Sequence, residues 1–129
     1  MTGRVVRVVL DTSAIVAFSR ESIHVGEVIS LVAEEENAAV GLPVLCLAEA
    51  TRAVADADRL DLLANHQAIE ILTPDPESWR ALAIIYETVG RLDAASAVLA
   101  AIDLDGHLLT GQPALYAGLD GGGPVIPID

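Results

Sequence analysis

A chain of 129 residues that contains a single cysteine and no lysine excludes several classes of protein at once. Its length suits one domain, residues 1–129, with a core large enough to need no disulfide or structural metal. The absence of lysine excludes a Walker-A phosphate loop and a Schiff-base enzyme. No apolar run reaches the roughly 20 residues that span a bilayer, and none has the form of a signal peptide. We therefore expect a soluble, cytoplasmic protein with no membrane partner.

The charge of the chain restricts how it can bind nucleic acid. The formal net charge is −12 and the isoelectric point is near 4.3, whereas domains that bind nucleic acid usually carry a basic face. All seven positively charged side chains are arginine. Any RNA would therefore be held by a local group of arginines, by a bound metal or by a partner protein.

Apolar runs and helical periodicities alternate along the chain. Predicted strands cover residues 5–10, 38–41, 69–72, 107–109 and 124–128. Predicted helices cover residues 12–18, 21–36, 45–57, 60–66, 76–89, 93–102 and 114–117, and the glycines at 121–123 form a loop. This alternation indicates βαβ units, so we predict an α/β fold with a mostly parallel sheet of four to five strands flanked by helices.

Several side chains have roles that the local pattern predicts. Thr12 or Ser13 is expected to cap the first helix, and Gly90 is expected to end the helix that begins at Pro76. Cys46 lies among apolar residues and is expected to be buried and inert. Trp79 lies on the apolar face of its helix and is expected in the core.

Three acidic residues lie inside otherwise apolar segments. Asp11 follows the first strand, and Glu49 and Asp93 lie near helix starts. Ligands of open α/β sheets bind at the carboxyl ends of the strands, where such residues can converge. Converging carboxylates repel one another unless a cation neutralises them, and hard oxygen ligands suit Mg²⁺ or Mn²⁺. Such a metal activates water and stabilises the charge that builds on a phosphodiester.

Each acidic residue also has a purely structural interpretation. Asp11 and Asp93 each precede a helical segment and could serve as its N-cap. Glu49 stands three residues before Arg52, which is the spacing of an ion pair within a helix. The residues alone leave both interpretations open.

Four segments of the chain resemble the motifs of PIN-domain ribonucleases, which include the VapC-type toxins of toxin–antitoxin pairs. They are residues 8–17 around Asp11, residues 47–52 around Glu49, residues 91–100 around Asp93, and the strand 108–110. Their order and spacing match over nearly the whole chain. The resemblance implies a single PIN-like domain with Asp11, Glu49 and Asp93 as the catalytic metal ligands.

The resemblance also implies supporting roles around the three carboxylates. Thr12 and Ser13 would assist through hydroxyl or backbone contacts at the helix start. Arg52 is a candidate for contact with the RNA backbone, with pairing to Glu49 as its alternative role. Arg20 and Arg91 are further candidates for phosphate contacts.

One position departs from the pattern of these ribonucleases. In the family, the threonine that ends the fourth motif's strand is soon followed by an aspartate, but here Thr110 is followed by Gln112. Glutamine can accept a hydrogen bond from a metal-bound water but brings no charge, so metal binding is expected to weaken. Asp105 and Asp120 could compensate, although neither stands at the expected position.

Three hypotheses follow from these observations. The first is a Mg²⁺- or Mn²⁺-dependent endoribonuclease, the toxin of a toxin–antitoxin pair, acting as a homodimer with RNA as substrate and an antitoxin as partner. The second is a degenerate PIN-fold module for dimerisation or regulation, which Gln112 and the net charge favour. The third is a phosphoryl-transfer enzyme with Asp11 as nucleophile, which Ser13 and the missing lysine disfavour.

Overall fold

Five strands form one parallel sheet in the computed structural model, which describes residues 4–54, 56–119 and 124–128. The strands are β1 (Val5–Leu10), β2 (Ala38–Pro43), β3 (Ile69–Leu72), β4 (His107–Thr110) and β5 (Val125–Pro127). The helices are α1 (Thr12–Ser19), α2 (Ile23–Ala33), α3 (Val44–Ala53), α4 (Ala57–Ala64), α5 (Trp79–Val89) and α6 (Leu92–Asp103). Two 3₁₀ turns cover Pro76–Ser78 and Pro113–Tyr116. The predicted α/β class with its parallel sheet is confirmed.

The carboxyl end of β1 lies at the reversal point of the sheet, which is the place where the strand order changes direction. The order is β3-β2-β1-β4-β5, so the chain builds outward from β1 on one side and then returns to its other side with β4. Leu10 pairs with Leu109, and the N–H of Asp11 donates to the Leu109 carbonyl at 3.3 Å. A crevice at such a reversal point is where open α/β sheets bind ligands.

The core lies on the sheet faces, and its small side chains bring α6 close to the strands. All six residues of β2 are buried, as are the last three of β1 and of β4. Helix α6 packs on β1, β2 and β4 through a run of buried alanines, which leave little bulk between helix and sheet. The first turn of α6, which carries Asp93, is thereby fixed beside the carboxyl end of β1.

Local side-chain hydrogen bonds set two helix boundaries that differ from the prediction. The segment 21–36 is helical only over α2, because Ser22 caps the helix by accepting from the Val25 N–H and Glu21 takes a positive φ of 64°. The segment 45–57 ends with α3, since Val54 is extended. Asp56 then caps α4 by accepting from the Asp58 N–H.

Trp79 is not part of the core, so that prediction is wrong. Its side chain is 60% exposed, and the Arg80 guanidinium lies 4.4 Å from the centre of its ring. Helix α5 packs mainly against α6, which covers only the side that carries Leu82, Ile85 and Val89. Much of this apolar helix is therefore in contact with solvent, including Trp79, Ile84 and Tyr86.

Two further predictions on single residues are confirmed. Cys46 is fully buried, as expected, and Gly90 ends α5 in the left-handed conformation with φ of 80°. The glycine loop at 121–123 and Asp120 lie outside the described residues. In the described ranges, no helix has both the length and the apolar character needed to cross a membrane.

Candidate active site

The predicted site residues converge on one cavity at the carboxyl ends of β1 and β4. The cavity has a volume of about 670 Å³. Eight of the nine predicted residues line it: Asp11, Thr12, Ser13, Arg20, Glu49, Arg91, Asp93 and Gln112. Arg52 is the exception, and its side chain is 78% exposed on α3.

Asp11 is buried at the floor of this cavity and accepts three hydrogen bonds. Its side chain is 2% exposed. The Ser13 hydroxyl donates to Oδ1 at 2.7 Å, the Ala14 N–H donates to Oδ1 at 2.9 Å, and the Tyr116 hydroxyl donates to Oδ2 at 2.6 Å. These donors replace the water that a buried carboxylate loses. Asp11 is thus the N-cap of α1, which confirms its structural interpretation and shows that the cap is neither Thr12 nor Ser13. Asp11 also borders the cavity.

Tyr116 is the main residue of the site that the sequence did not reveal. It ends the second 3₁₀ turn and is 1% exposed. Burial, followed by the charge and hydrogen bond of Asp11, raises the pKa of its hydroxyl, so the hydroxyl stays protonated as a donor. The sequence offers little signal for this role, since a tyrosine four residues after Gln112 is not a distinctive motif.

Asp93 is held by an arginine of its own helix start and by a threonine of α1. The Arg91 guanidinium donates from Nε to Oδ1 and from Nη2 to Oδ2, both at 3.1 Å, and the Thr12 hydroxyl donates to Oδ2. Burial works to raise the pKa of Asp93, but these hydrogen bonds and the charge of Arg91 lower it on balance. Asp93 lies in the first turn of α6 and Arg91 takes the N-cap position, so the N-cap interpretation of Asp93 is wrong.

Glu49 makes the ion pair of its structural interpretation and also lies at the cavity. It borders the cavity, and its Oε2 lies 3.3 Å from Nη1 of Arg52 in an ion pair. Such a solvent-exposed pair contributes about 0.3–0.5 kcal/mol, so it restrains Glu49 only weakly. The Glu49 side chain can therefore turn toward the cavity at little cost.

The loop after β4 is fastened to α1 and presents Gln112. The Ser13 Oγ accepts from the Gly111 N–H at 2.8 Å and lies 3.2 Å from the Thr110 hydroxyl. The Thr110 hydroxyl accepts from the Gln112 N–H at 2.9 Å. Asp105, one proposed substitute for the missing acid, lies in the turn after α6 with φ of 55° and does not line the cavity.

The donor chemistry of the cavity suits a hard divalent cation, but its carboxylates are already engaged. Asp11, Glu49 and Asp93 supply the oxygen ligands that Mg²⁺ and Mn²⁺ prefer. Among residues 4–54, 56–119 and 124–128, no three histidine, cysteine or acidic residues stand close enough to hold an ion. The guanidinium of Arg91 neutralises Asp93 instead. Metal binding therefore requires the side chains of Arg91 and Glu49 to move.

The fold matches solved structures at low sequence identity. No protein-family model and no curated protein matches the chain in sequence. The structure of VapBC2 from Rickettsia felis, bound to a DNA fragment from its promoter, matches with a TM-score of 0.71 at 14% identity, over 96% of this chain and 99% of that chain. PAE2754 from Pyrobaculum aerophilum matches with a TM-score of 0.68 at 16% identity, over 98% and 93%. The chain therefore has a VapC-like PIN fold.

Proposed function

We propose that the chain is a Mg²⁺- or Mn²⁺-dependent endoribonuclease that acts in the cytoplasm as the toxin of a toxin–antitoxin pair. The observation that carries the proposal is the convergence of Asp11, Glu49 and Asp93 on one cavity at the reversal point of a VapC-like PIN fold. Ligands of α/β sheets bind at this point, and hard oxygen ligands favour these two metals.

Asp11, Glu49 and Asp93 would hold the metal, which when bound supplies an activated water and stabilises charge on the scissile phosphate. Asp11 is rigid because three donors fix it. Thr12 joins the first turn of α1 to Asp93 and so sets the relative position of the two carboxylates. Gln112 borders the same cavity, where its amide can hydrogen-bond a water and orient it.

RNA binding would depend on a few arginines, because the chain is strongly acidic. Arg20 lines the cavity and can neutralise a phosphate there. Arg91 also lines it, and Arg52 lies outside beside Glu49. These three residues are the proposed phosphate contacts, with Arg20 the best placed.

The proposed partners are an antitoxin and a second copy of the chain. The net charge of −12 favours a partner with a basic segment, whose arginine could reach the carboxylates and block the cavity. The Rickettsia felis structure contains VapBC2 bound to promoter DNA, and this similarity supports the proposal of an antitoxin partner for the chain. The exposed apolar side chains of α5, among them Trp79 and Ile84, support a homodimer.

The direct test is cleavage of a mixed RNA substrate with Mg²⁺ or Mn²⁺ by the wild-type chain, Asp93→Asn and Gln112→Asp. We expect metal-dependent cleavage by the wild type, little or none by Asp93→Asn, and faster cleavage by Gln112→Asp. Because Gln112→Asp restores the missing charge, cleavage by that variant alone would refute an active wild-type nuclease.

A degenerate PIN-fold module is the second candidate. It is favoured by Gln112 in the fourth acidic position and by the hydrogen bonds that already engage Asp11 and Asp93. In that case the chain would act in dimerisation or regulation. Calorimetry with Mn²⁺ separates the two, since this candidate expects no metal binding at all.

A further inference from the structure

The guanidinium of Arg91 occupies the place beside Asp93 that a metal would need. Its two-pronged contact engages both carboxylate oxygens, a geometry that makes a strong and specific pair. Arg91 thus serves as the positive charge among the same acids that are proposed to bind a cation.

The surroundings allow Arg91 to leave but do not allow Asp93 to remain unpaired. The Arg91 side chain is 43% exposed, whereas that of Asp93 is 11% exposed. Arg91 stands at the extended N-cap position of α6 and makes no capping hydrogen bond with its side chain, so α6 does not depend on that side chain. A largely buried carboxylate that loses its partner needs another cation.

Resting on the proposed metal-dependent function, we infer that Arg91 is the resident counter-ion of the site and that a divalent metal must displace it from Asp93. Displacement leaves the guanidinium at the edge of the same cavity, free to bind a substrate phosphate. Arg91 and the metal therefore compete for one carboxylate. Metal affinity is lower than the three acids alone would give, and metal binding releases an arginine for RNA.

Calorimetric titration of the full chain with Mn²⁺ alone tests this competition. Arg91→Met keeps the alkyl stem but removes the charge and donors, so we expect its Kd for Mn²⁺ to fall about tenfold. Arg20→Met is the matched control, because it removes the same charge from the same cavity, whereas the arginine that pairs with Asp93 is Arg91. We expect the Kd of this control to change less than about threefold. Circular dichroism checks that each variant is folded.

Each other outcome of the titration has a definite meaning. Equal affinity of wild type and Arg91→Met would overturn the competition, while leaving the metal-dependent function intact. An equal fall of the Kd for Mn²⁺ in Arg20→Met would also overturn the competition, because the tighter binding would then result from the general loss of a positive charge. If folded Arg91→Met binds no Mn²⁺, both the competition and the proposed metal-dependent function are wrong.

A second readout observes the displacement itself. In the NMR spectrum of the wild-type chain, the Arg91 Nε–H signal is identified by its loss in Arg91→Met. We expect this signal to shift as Mg²⁺ is added, while that of Arg59, near Phe18, stays in place. Saturable Mg²⁺ binding without a shift of the Arg91 signal would show that Arg91 is not displaced.

Discussion

The hydrogen bond from Tyr116 to Asp11 gives the clearest expectation for stability. Tyr116→Phe removes only the hydroxyl, which donates to Oδ2 of a carboxylate that is 2% exposed. A hydrogen bond to a charged group contributes about 1.5–3 kcal/mol, and a buried acceptor left short of a partner places the loss within that range. We therefore expect the free energy of unfolding to fall by about 2 kcal/mol.

Urea denaturation followed by circular dichroism measures this loss. With a slope of about 2 kcal/mol per molar urea, the unfolding midpoint should fall by about 1 M. Tyr86→Phe is the matched control, because Tyr86 lies exposed on α5 and should leave the midpoint almost unchanged. In an Asp11→Asn background, Tyr116→Phe should cost less, since the acceptor no longer carries a charge. A loss below about 0.5 kcal/mol in the wild-type background would refute the reasoning.

Three further expectations test other parts of the structure. Burial raises the pKa of the Cys46 thiol to about 12, so Ellman's reagent at pH 8 should modify the urea-unfolded chain quickly and the native chain hardly at all; rapid native labelling would contradict this. The pKa of Asp93 is lowered in the folded state, so its stabilising contribution is present above the unfolded pKa near 3.8 and is lost as pH falls through the lower folded value. Urea midpoints of wild type and Asp93→Asn should accordingly differ at neutral pH and converge below about pH 4; a difference that is constant with pH would contradict the assignment. Acrylamide should strongly quench the fluorescence of the exposed Trp79 at low protein concentration, where the chain is monomeric. If α5 forms a dimer interface, quenching should be weaker at high protein concentration. Weak quenching of the monomer would contradict the exposure of this ring.

Strands could be predicted well because their signal is local. The apolar runs at 5–10 and 69–72 coincide with β1 and β3, since an aspartate ends the first and a Thr-Pro pair follows the second. Helix ends were predicted less well, because several polar residues near each end could serve as the cap. In the structure, Ser22 and Asp56 accept the capping hydrogen bonds from backbone N–H groups. Which polar residue becomes the cap depends on the backbone conformation at the helix start, and the local sequence does not specify that conformation.

The site could be predicted in outline but not in its contacts. Asp11 and Asp93 could be placed together because one follows a strand end and the other lies in the first turn of a helix, whereas Glu49 reaches the same cavity from the middle of α3. The bond between Tyr116 and Asp11 joins residues 105 positions apart. The bond between Thr12 and Asp93 joins residues 81 positions apart. Such contacts depend on tertiary packing and on the rotamer of each side chain, which no local pattern specifies.

The double role of Asp11 affects how growth phenotypes of mutants are to be interpreted. Asp11→Ala would remove the acceptor for the Ala14 N–H, which costs about 1 kcal/mol, and would leave the Tyr116 hydroxyl unpaired in the core. Losses of about 1–2 kcal/mol can change the cellular abundance of a protein several-fold. If cells tolerate an Asp11→Ala allele, the cause could be degradation of the destabilised protein or loss of the Asp11 carboxylate from the site, and the phenotype alone would not separate the two. Asp11→Asn keeps an oxygen acceptor, so it is the better allele for testing whether the proposed toxicity depends on the chemistry of Asp11.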